Sequence, residues 1–153
     1  FETLAASSGV GLAAPQIGKS IRVVVIDLDI LKDEFPEYAG YRHVFINAHI
    51  QEVDAKSGKV AMEEGCLSVP GLSEEVVRPT RVRVTYLDEN LQPHDEWVEG
   101  YAARVMQHEF DHLDGKMYVD HLSPFRKQMI RNKLKAMTQG KFRAGYRTKP
   151  IIK

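Results

Sequence analysis

The sequence predicts an α+β fold, with antiparallel β-sheets around a central helix and a second helix near the C-terminus. The first two-thirds of the chain hold short segments that are rich in β-branched residues or that alternate polar and apolar residues. From Tyr101 onward, apolar residues instead recur at helical spacing. Strands that follow one another without helices between them are expected to pair antiparallel, which is typical of α+β domains.

The N-terminal part combines a helical start, a glycine-rich loop and a buried strand. Residues 1–6 have a helical pattern without an N-cap, as if the chain began inside an element. We therefore expect a further segment upstream, which leaves organellar targeting open. Residues 7–20 are predicted to be a loop, and the β-branched run of residues 21–27 predicts a strand.

The middle of the chain predicts several short strands. Residues 28–42 contain Pro36 and Gly40 and are expected to form a loop, whereas residues 43–47 and 49–54 predict two separate strands. Residues 81–87 alternate cleanly before a turn, so the residues at 92–98 are expected to pair back as a hairpin.

Two helices follow the strands. The first is predicted to end at Gly115, a typical C′ residue. The second begins with Ser123 as N-cap and Pro124 at the first helical position, and ends at Gly140. The apolar residues of this second helix are predicted to share one buried face, namely Phe125, Met129, Ile130, Leu134 and Met137.

Composition limits the class of protein. A chain of 153 residues with 43% apolar and 27% charged residues is expected to form one domain, over residues 1–153. No segment approaches the roughly 18 consecutive apolar residues of a membrane helix, so no membrane partner is expected. Cys66 is the only cysteine. A single cysteine excludes an intramolecular disulfide and favours a reducing, cytoplasmic setting.

Charge is distributed unevenly along the chain. Residues 123–153 hold ten of the 21 Lys and Arg residues and none of the 21 Asp and Glu residues. We interpret this region as a solvated helix face followed by a flexible basic tail at 140–153, with a polyanion-binding patch as the alternative.

The strongest indication of function is the stretch HEFDH at residues 108–112. His108 and His112 are four residues apart and lie on one helix face, so both imidazoles can bind one ion. Glu109 lies about 100° round the helix, which suits a general base acting on water at that ion. Because the helix is apolar, burying these groups without a metal would be unfavourable, which favours a metal-binding helix over a chance pattern on a surface helix.

The third ligand must come from elsewhere. One zinc-protease class needs a histidine at position 118, which is Tyr118, and another needs a glutamate from a later helix, which the sequence lacks. The remaining candidates are Cys66, Asp114, Asp120 and His121. Cys66 is the best of them, because Gly65 permits close backbone approach and a thiolate is a soft anionic ligand. A lone cysteine is otherwise more often a small core residue.

Residues 9–14 match the G-x-G-x-x-A form of a dinucleotide-binding fingerprint. That fingerprint follows a strand and opens a helix, whereas here a helical pattern precedes it and Pro15 blocks a helix after it. We interpret the segment instead as a loop whose backbone lies along a substrate.

Three segments together resemble the signatures of peptide deformylase: GVGLAAPQ at 9–16, EGCLS at 64–68 and QHEFDHLDG at 107–115. The resemblance extends from about residue 7 to about residue 139 and is closest to bacterial members with a C-terminal helix. It implies hydrolysis of the N-formyl group from the initiator methionine of new polypeptides, with release of formate. Family members have several tens of residues before the first signature, so a chain that began at Phe1 is expected to have a weakened core and low activity.

The resemblance also implies residue roles. Cys66, His108 and His112 would hold one divalent ion, Fe²⁺ being typical and Zn²⁺ or Ni²⁺ able to take the same ligands. Glu109 would act as general acid and base. Gln16, through its amide, and Leu67, through its backbone N–H, would donate to the developing oxyanion.

The substrate would be a formyl-methionyl nascent peptide. Val10, Tyr101 and Val105 are candidates for the methionine pocket, since the latter two share the helix face of the histidines, although core packing is an alternative. The backbones of Gly11 and Gly65 are expected to pair with an extended peptide. In bacterial members the C-terminal helix is associated with the ribosome, and basic residues here would suit RNA phosphates: Arg126, Lys127, Arg131, Lys133 and Lys135.

Two other functions stay open at this point. One is another metal-dependent amidase or peptidase on the same ligands. The other is a degenerate or purely structural metal-binding fragment without turnover. Glu109 and Gln16 argue against the second, because a purely structural metal site needs neither of them.

Overall fold

The computed structural model describes residues 1–149, so the end of the predicted basic tail, residues 150–153, lies outside the described residues. The fold is α+β with antiparallel sheets, as the sequence predicts. Its helices and strands are α1 (Glu2–Ser7), β1 (Gly11–Ala13), β2 (Val23–Asp27), β3 (Arg42–Val53), β4 (Lys59–Cys66), β5 (Val69–Pro79), β6 (Arg81–Leu87), β7 (Pro93–Glu99), α2 (Gly100–Leu113) and α3 (Pro124–Thr138).

A five-stranded antiparallel sheet, in the order β1-β2-β3-β6-β7, packs against α2. Buried side chains alternate along β2 and β6, as expected of strands with one face on a core. The core between sheet and helix includes Val24, Ile26, Phe45, Val84 and Phe110. Helix α2 is therefore buried along most of its length.

The second sheet is the hairpin β4–β5, which pairs antiparallel from Cys66 with Val69 out to Lys59 with Pro79. It packs on its own apolar cluster together with α3 and the 3₁₀ turn Tyr118–His121. Val69, Leu72 and Val76 come from β5, and Leu122 and Ile130 come from the region of α3. Helix α2 thus has β4 and β5 near one side and the larger sheet on the other.

The sequence did not predict β4 and β5. Along β5 the inward positions alternate regularly, but two of them are the charged residues Glu74 and Arg78. Charged residues at buried positions hide the apolar alternation that marks a strand. They are tolerated because each is paired: Glu74 with Arg126, and Arg78 with Glu64.

Two further predictions about strands are wrong. The loop expected at 7–20 contains β1 and a 3₁₀ turn, Ala14–Ile17, because the backbone of Gly11–Ala13 pairs with β2. The two strands expected at 43–47 and 49–54 form the single strand β3. Asn47 has a φ of 52°, and the pairing with β6 shifts between Ile46 and His49, so a bulge interrupts the alternation without ending the strand.

Helix ends agree with the sequence, but one helix face does not. Gly115 and Gly140 follow α2 and α3 with φ of 71° and 75°, and the Ser123 hydroxyl accepts a hydrogen bond from Arg126 N–H. The predicted face of α3 is wrong at Phe125 and Met129, which are largely exposed. The buried stripe of α3 is narrower and consists of Ile130, Leu134 and Met137, which contact the hairpin cluster.

None of the helices within residues 1–149 combines the length and the apolar character that a membrane span requires.

Candidate active site

Helix α2 presents His108 and His112 on one face. Both side chains are buried, and their ring centroids lie 5.1 Å apart at an interplanar angle of 85°. The four-residue spacing on a regular helix produces this proximity, as the sequence indicated. The ring of Tyr118 stacks on His108 with centroids 5.9 Å apart, and the Tyr118 hydroxyl donates to the Leu72 carbonyl. Tyr118 therefore limits the orientations of the His108 ring.

Cys66, at the end of β4, brings a sulfur to these imidazoles. Its Sγ lies 3.3 Å from Nε2 of His112, and one ligand atom from each of Cys66, His108 and His112 can be chosen so that all lie within 4.8 Å of one another. Neither Asp114 nor His121 belongs to this group: Asp114 pairs with Arg22, and His121 lies 2.7 Å from Asp111.

The chemistry of this donor set fits a divalent transition metal. A thiolate and two neutral imidazoles are the ligands that zinc and iron sites use. Burial, reinforced by His108, lowers the pKa of His112 to about 4, so its ring is neutral and has a free lone pair at neutral pH. Burial raises the pKa of Cys66 to about 11, against a backbone hydrogen bond from Ser68, and a bound cation would favour its thiolate.

Glu109 is buried between α2 and β1. Burial, reinforced by the charge of Glu64, raises the pKa of Glu109 to about 8. Within residues 1–149, no donor lies in hydrogen-bonding range of its buried Oε2. Such an orphaned oxygen is unfavourable in a purely structural role and suits a group that exchanges a proton with a ligand.

Gly11 makes room for Glu109. A Cβ placed on Gly11 would lie 2.7 Å from both Cγ and Cδ of Glu109, which real Cβ atoms essentially never do. At Gly65 the nearest atom to an added Cβ is 3.9 Å away. The two glycines of the signature segments therefore differ, and Gly11 is the one that the packing requires.

Glu64 holds His108 in place. Its Oε2 lies 2.8 Å from Nδ1 of His108, which leaves Nε2 as the nitrogen that can face a metal. Burial opposes ionisation of Glu64, but hydrogen bonds from His108, Arg78 and Arg104 hold its pKa well below the usual range. Glu64 is thus an anion at neutral pH and fixes both the tautomer and the direction of the His108 ring.

Two buried arginines, Arg78 and Arg104, donate hydrogen bonds both to the Glu64 carboxylate and to other parts of the fold. Arg78 donates to both oxygens of Glu64 and, through Nη1, to Asp111 at 2.8 Å. Arg104, on α2, donates to Glu64 and to the carbonyls of Val60 and Val76, one in each strand of the hairpin. These bonds fasten the β4–β5 hairpin to the helix.

Gln16 and Leu67 lie on the side of Cys66 that faces the cavity. Ala13 N–H donates to the Gln16 side-chain oxygen, so Nε2 points the other way, 3.1 Å from Ser68 Oγ and 3.5 Å from Cys66 Sγ. Leu67 follows Cys66 in the turn between β4 and β5.

A cavity of about 660 Å³ opens beside these groups. Its walls include Gln16, Cys66, Leu67, His108 and Glu109. The five residues that the sequence suggested for substrate binding also line it: Val10, Gly11, Gly65, Tyr101 and Val105. Of the site residues expected from the sequence, His112 alone is not part of the cavity wall, and its Nε2 lies 3.3 Å from the Cys66 sulfur, which is part of it.

Sequence reasoning missed the residues that support the site. Glu64 lies within the quoted signature EGCLS, so its position two residues before Cys66 was a usable signal. The buried arginines gave no comparable signal, because isolated arginines in a strand or helix normally face solvent.

Comparisons with known proteins agree with this geometry. Residues 1–128 match the sequence model of the polypeptide deformylase family. A peptide deformylase from Cytophaga hutchinsonii is 42% identical over 153 residues, which cover 100% of this chain and 81% of that protein. The crystal structure of peptide deformylase from Thermus thermophilus matches with a TM-score of 0.77 and 38% identity, over 92% of this chain and 80% of that one. A Plasmodium falciparum peptide deformylase matches with a TM-score of 0.79 and 34% identity, over 91% and 77%.

The fold and these matches define the class of the chain: it is an enzyme of a metal-dependent hydrolase family. The chain belongs to the polypeptide deformylase family, whose activity is the deformylation of nascent polypeptides.

Proposed function

We propose that this chain removes the formyl group from the N-terminal formyl-methionine of newly made polypeptides, with a divalent ion held by Cys66, His108 and His112. The observation that carries the proposal is the cluster of three ligand atoms within 4.8 Å, next to a buried glutamate whose pKa is raised to about 8. A ligated ion supplies a Lewis acid that activates water and polarises a carbonyl.

Glu109 moves the protons. At neutral pH a carboxyl with a raised pKa exchanges protons readily in both directions. Its Oε2 accepts the proton of the attacking water and then gives a proton to the leaving amino group, so that formate and a free N-terminus are released. The buried setting prevents competing exchange with bulk water.

Gln16 and Leu67 stabilise the tetrahedral intermediate. The former carbonyl oxygen becomes negative there, and donors aimed at that position lower the barrier more than they stabilise the substrate. Gln16 Nε2 is oriented by the Ala13 N–H at the other end of its amide, so it is a preorganised donor. The backbone N–H of Leu67 would be the second donor.

The methionine side chain would occupy the cavity between Val10, Tyr101 and Val105, with the following residues extended along Gly11 and Gly65. All five line the same cleft, and backbone pairing with an extended peptide would direct the formyl carbon towards Glu109. For the ion we propose Fe²⁺, with Zn²⁺ or Ni²⁺ as alternatives that suit the same donors.

The test measures formate release from a formyl-methionyl peptide by anaerobically purified, iron-loaded protein. Glu109→Gln should keep the metal but lose turnover, because an amide cannot exchange the proton. Glu75→Gln makes the same chemical change at an exposed position on β5 and serves as the control. Equal release by the Glu109 variant and the parent would refute the role of Glu109. Turnover of an acetyl-methionyl peptide at the same rate would favour a general amidase instead.

We also propose that α3 contacts the ribosome. Arg131, Lys133 and Lys135 are exposed along it, beside the exposed apolar side chains of Phe125 and Met129. Arg126 and Lys127 are already engaged, with Glu74 and the Asp120 carbonyl. Binding through the three exposed cations should weaken steeply with salt. Co-sedimentation with ribosomes should fall when all three are changed to Gln, with formate release unaffected, and unchanged co-sedimentation would exclude this contact.

A further inference from the structure

The C-terminal segment, residues 141–149, follows α3 and returns to the site. Alternate residues of it are half-buried, namely Phe142, Ala144 and Tyr146. Tyr146 reaches furthest: its side chain lines the cavity, and its hydroxyl donates to the Leu67 carbonyl at 2.7 Å. The segment was expected to be a flexible tail, and its sequence gave no sign of this contact.

The acceptor of that bond belongs to the peptide unit between Leu67 and Ser68. In a trans peptide the C=O and the N–H lie in one plane and point in opposite directions. Here the C=O receives the Tyr146 hydroxyl, and the N–H, which belongs to Ser68, donates to Cys66 Sγ at 3.4 Å. A single rigid plane therefore connects the C-terminal segment to the sulfur.

Hydrogen bonds at the two ends of one peptide strengthen each other, because each polarises the amide in the same sense. Burial, with the Cys66 charge, raises the pKa of Tyr146, so its hydroxyl keeps its proton and remains a donor. The same turn carries the Leu67 N–H and the Ser68 hydroxyl, which accepts from Gln16. Rotation of this peptide would therefore disturb several groups around Cys66 together.

We propose that Tyr146 is a positioning residue, which holds the Leu67–Ser68 peptide so that its N–H faces the Cys66 sulfur. The inference rests on the proposed role of Cys66 as a metal ligand. Tyr146 acts through this peptide, by its hydrogen bond to the Leu67 carbonyl, and not on the reacting atoms. The bond also makes the C-terminal segment part of the active site.

The test compares Tyr146→Phe, which removes only the hydroxyl, with Tyr86→Phe, which removes a hydroxyl bonded to Glu96 on the five-stranded sheet. With Co²⁺ bound, a thiolate ligand gives a charge-transfer absorption that reports on the sulfur. Tyr146→Phe should shift this band and weaken metal retention against a chelator by roughly 3- to 10-fold, less than the 10- to 100-fold typical of direct ligand partners.

In metal-free protein, the Ser68 amide should exchange its hydrogen faster in Tyr146→Phe than in the parent. Turnover should show a lower kcat with KM unchanged.

Three outcomes would overturn the proposal. A parent protein without the charge-transfer band would remove Cys66 as a ligand, and this inference would fall with the proposed function. A band present in the parent and identical in Tyr146→Phe, with equal metal retention, would refute the positioning role alone. A rise in KM as the sole effect would indicate that Tyr146 contacts the substrate in the cleft and does not position the peptide.

Discussion

Glu64 and His108 are joined by a 2.8 Å contact between a carboxylate oxygen and Nδ1, although they lie 44 positions apart in the sequence. Glu64→Gln should weaken metal binding by roughly 10- to 100-fold, because the amide neither holds the negative charge nor enforces one orientation of the ring. Chelator competition would measure this loss. Glu63→Gln, one residue earlier and exposed, is the matched control. Equal metal affinity in the parent and in Glu64→Gln would contradict the orienting role.

The same carboxylate makes stability depend on pH. Because the pKa of Glu64 in the folded protein lies below its ordinary value of 4.5, ionised Glu64 stabilises the fold at neutral pH. That contribution is complete above the ordinary value and is lost as pH falls towards the folded value. The difference in urea midpoint between the parent and Glu64→Gln should thus be constant from about pH 7 to about pH 5.5 and shrink below about pH 4.5.

The comparison between parent and variant isolates this effect, because all other carboxylates titrate in both proteins. At neutral pH the variant should lose about 3 kcal/mol, since removing this charge leaves Arg104 buried without its carboxylate partner and Arg78 with Asp111 alone. A difference that grows on acidification would show that the pKa is shifted in the opposite direction.

Gly11→Ala should reduce turnover while metal binding persists. The new Cβ would displace the Glu109 carboxyl, and a displacement of about 1 Å at a reacting group can lower kcat by roughly 100-fold. Gly65→Ala, where the nearest atom is 3.9 Å away, should cause a clearly smaller loss. Steady-state formate release and metal content of both variants would check this prediction, which fails if Gly11→Ala is the milder change.

Metal removal should loosen the hairpin more than the large sheet. Cys66 comes from β4 and both histidines come from α2, so an ion cross-links two parts of the fold. Ligands that bind only the native state stabilise it by mass action, and the gain is local where the ligand bridges elements. Hydrogen exchange in β4 and β5 should accelerate on chelation, with β2 and β3 nearly unchanged. Uniform acceleration would indicate a global effect instead.

The sequence predicted correctly those features that depend on residues close together in the chain. The spacing of His108 and His112 on a helix, the caps at Ser123 and Gly115, and the alternation along β6 all depend on neighbours within a few residues. The reaction class then followed from the resemblance, whereas Tyr101 and Val105 were suggested for the cleft by their helical spacing from the two histidines. The roles of the site residues in catalysis remain predictions.

The parts that could not be predicted depend on distant partners. Strand β5 was not predicted because Arg78 is buried there only on account of Glu64 and Asp111, which come from other elements. Asn47 sits in a bulge whose position is set by pairing with β6. Tyr146 meets Leu67 across 79 positions of sequence, and no local pattern indicates such a contact.

The β4–β5 hairpin carries Cys66 apart from the two histidines of α2, and this separation bears on the order in which the proposed metal site is assembled. Strands β4 and β5 pair across a short turn, so they can form quickly by themselves, whereas Cys66 meets His112 only across 46 positions. During synthesis the hairpin emerges before α2, and a chain that has not yet extended to His108 holds only Cys66 of the three proposed ligands. We therefore expect the cleft to assemble late in folding. We expect Cys66 of a partly made chain to be an ordinary thiol, and the proposed metal site to be complete only after α2 has docked.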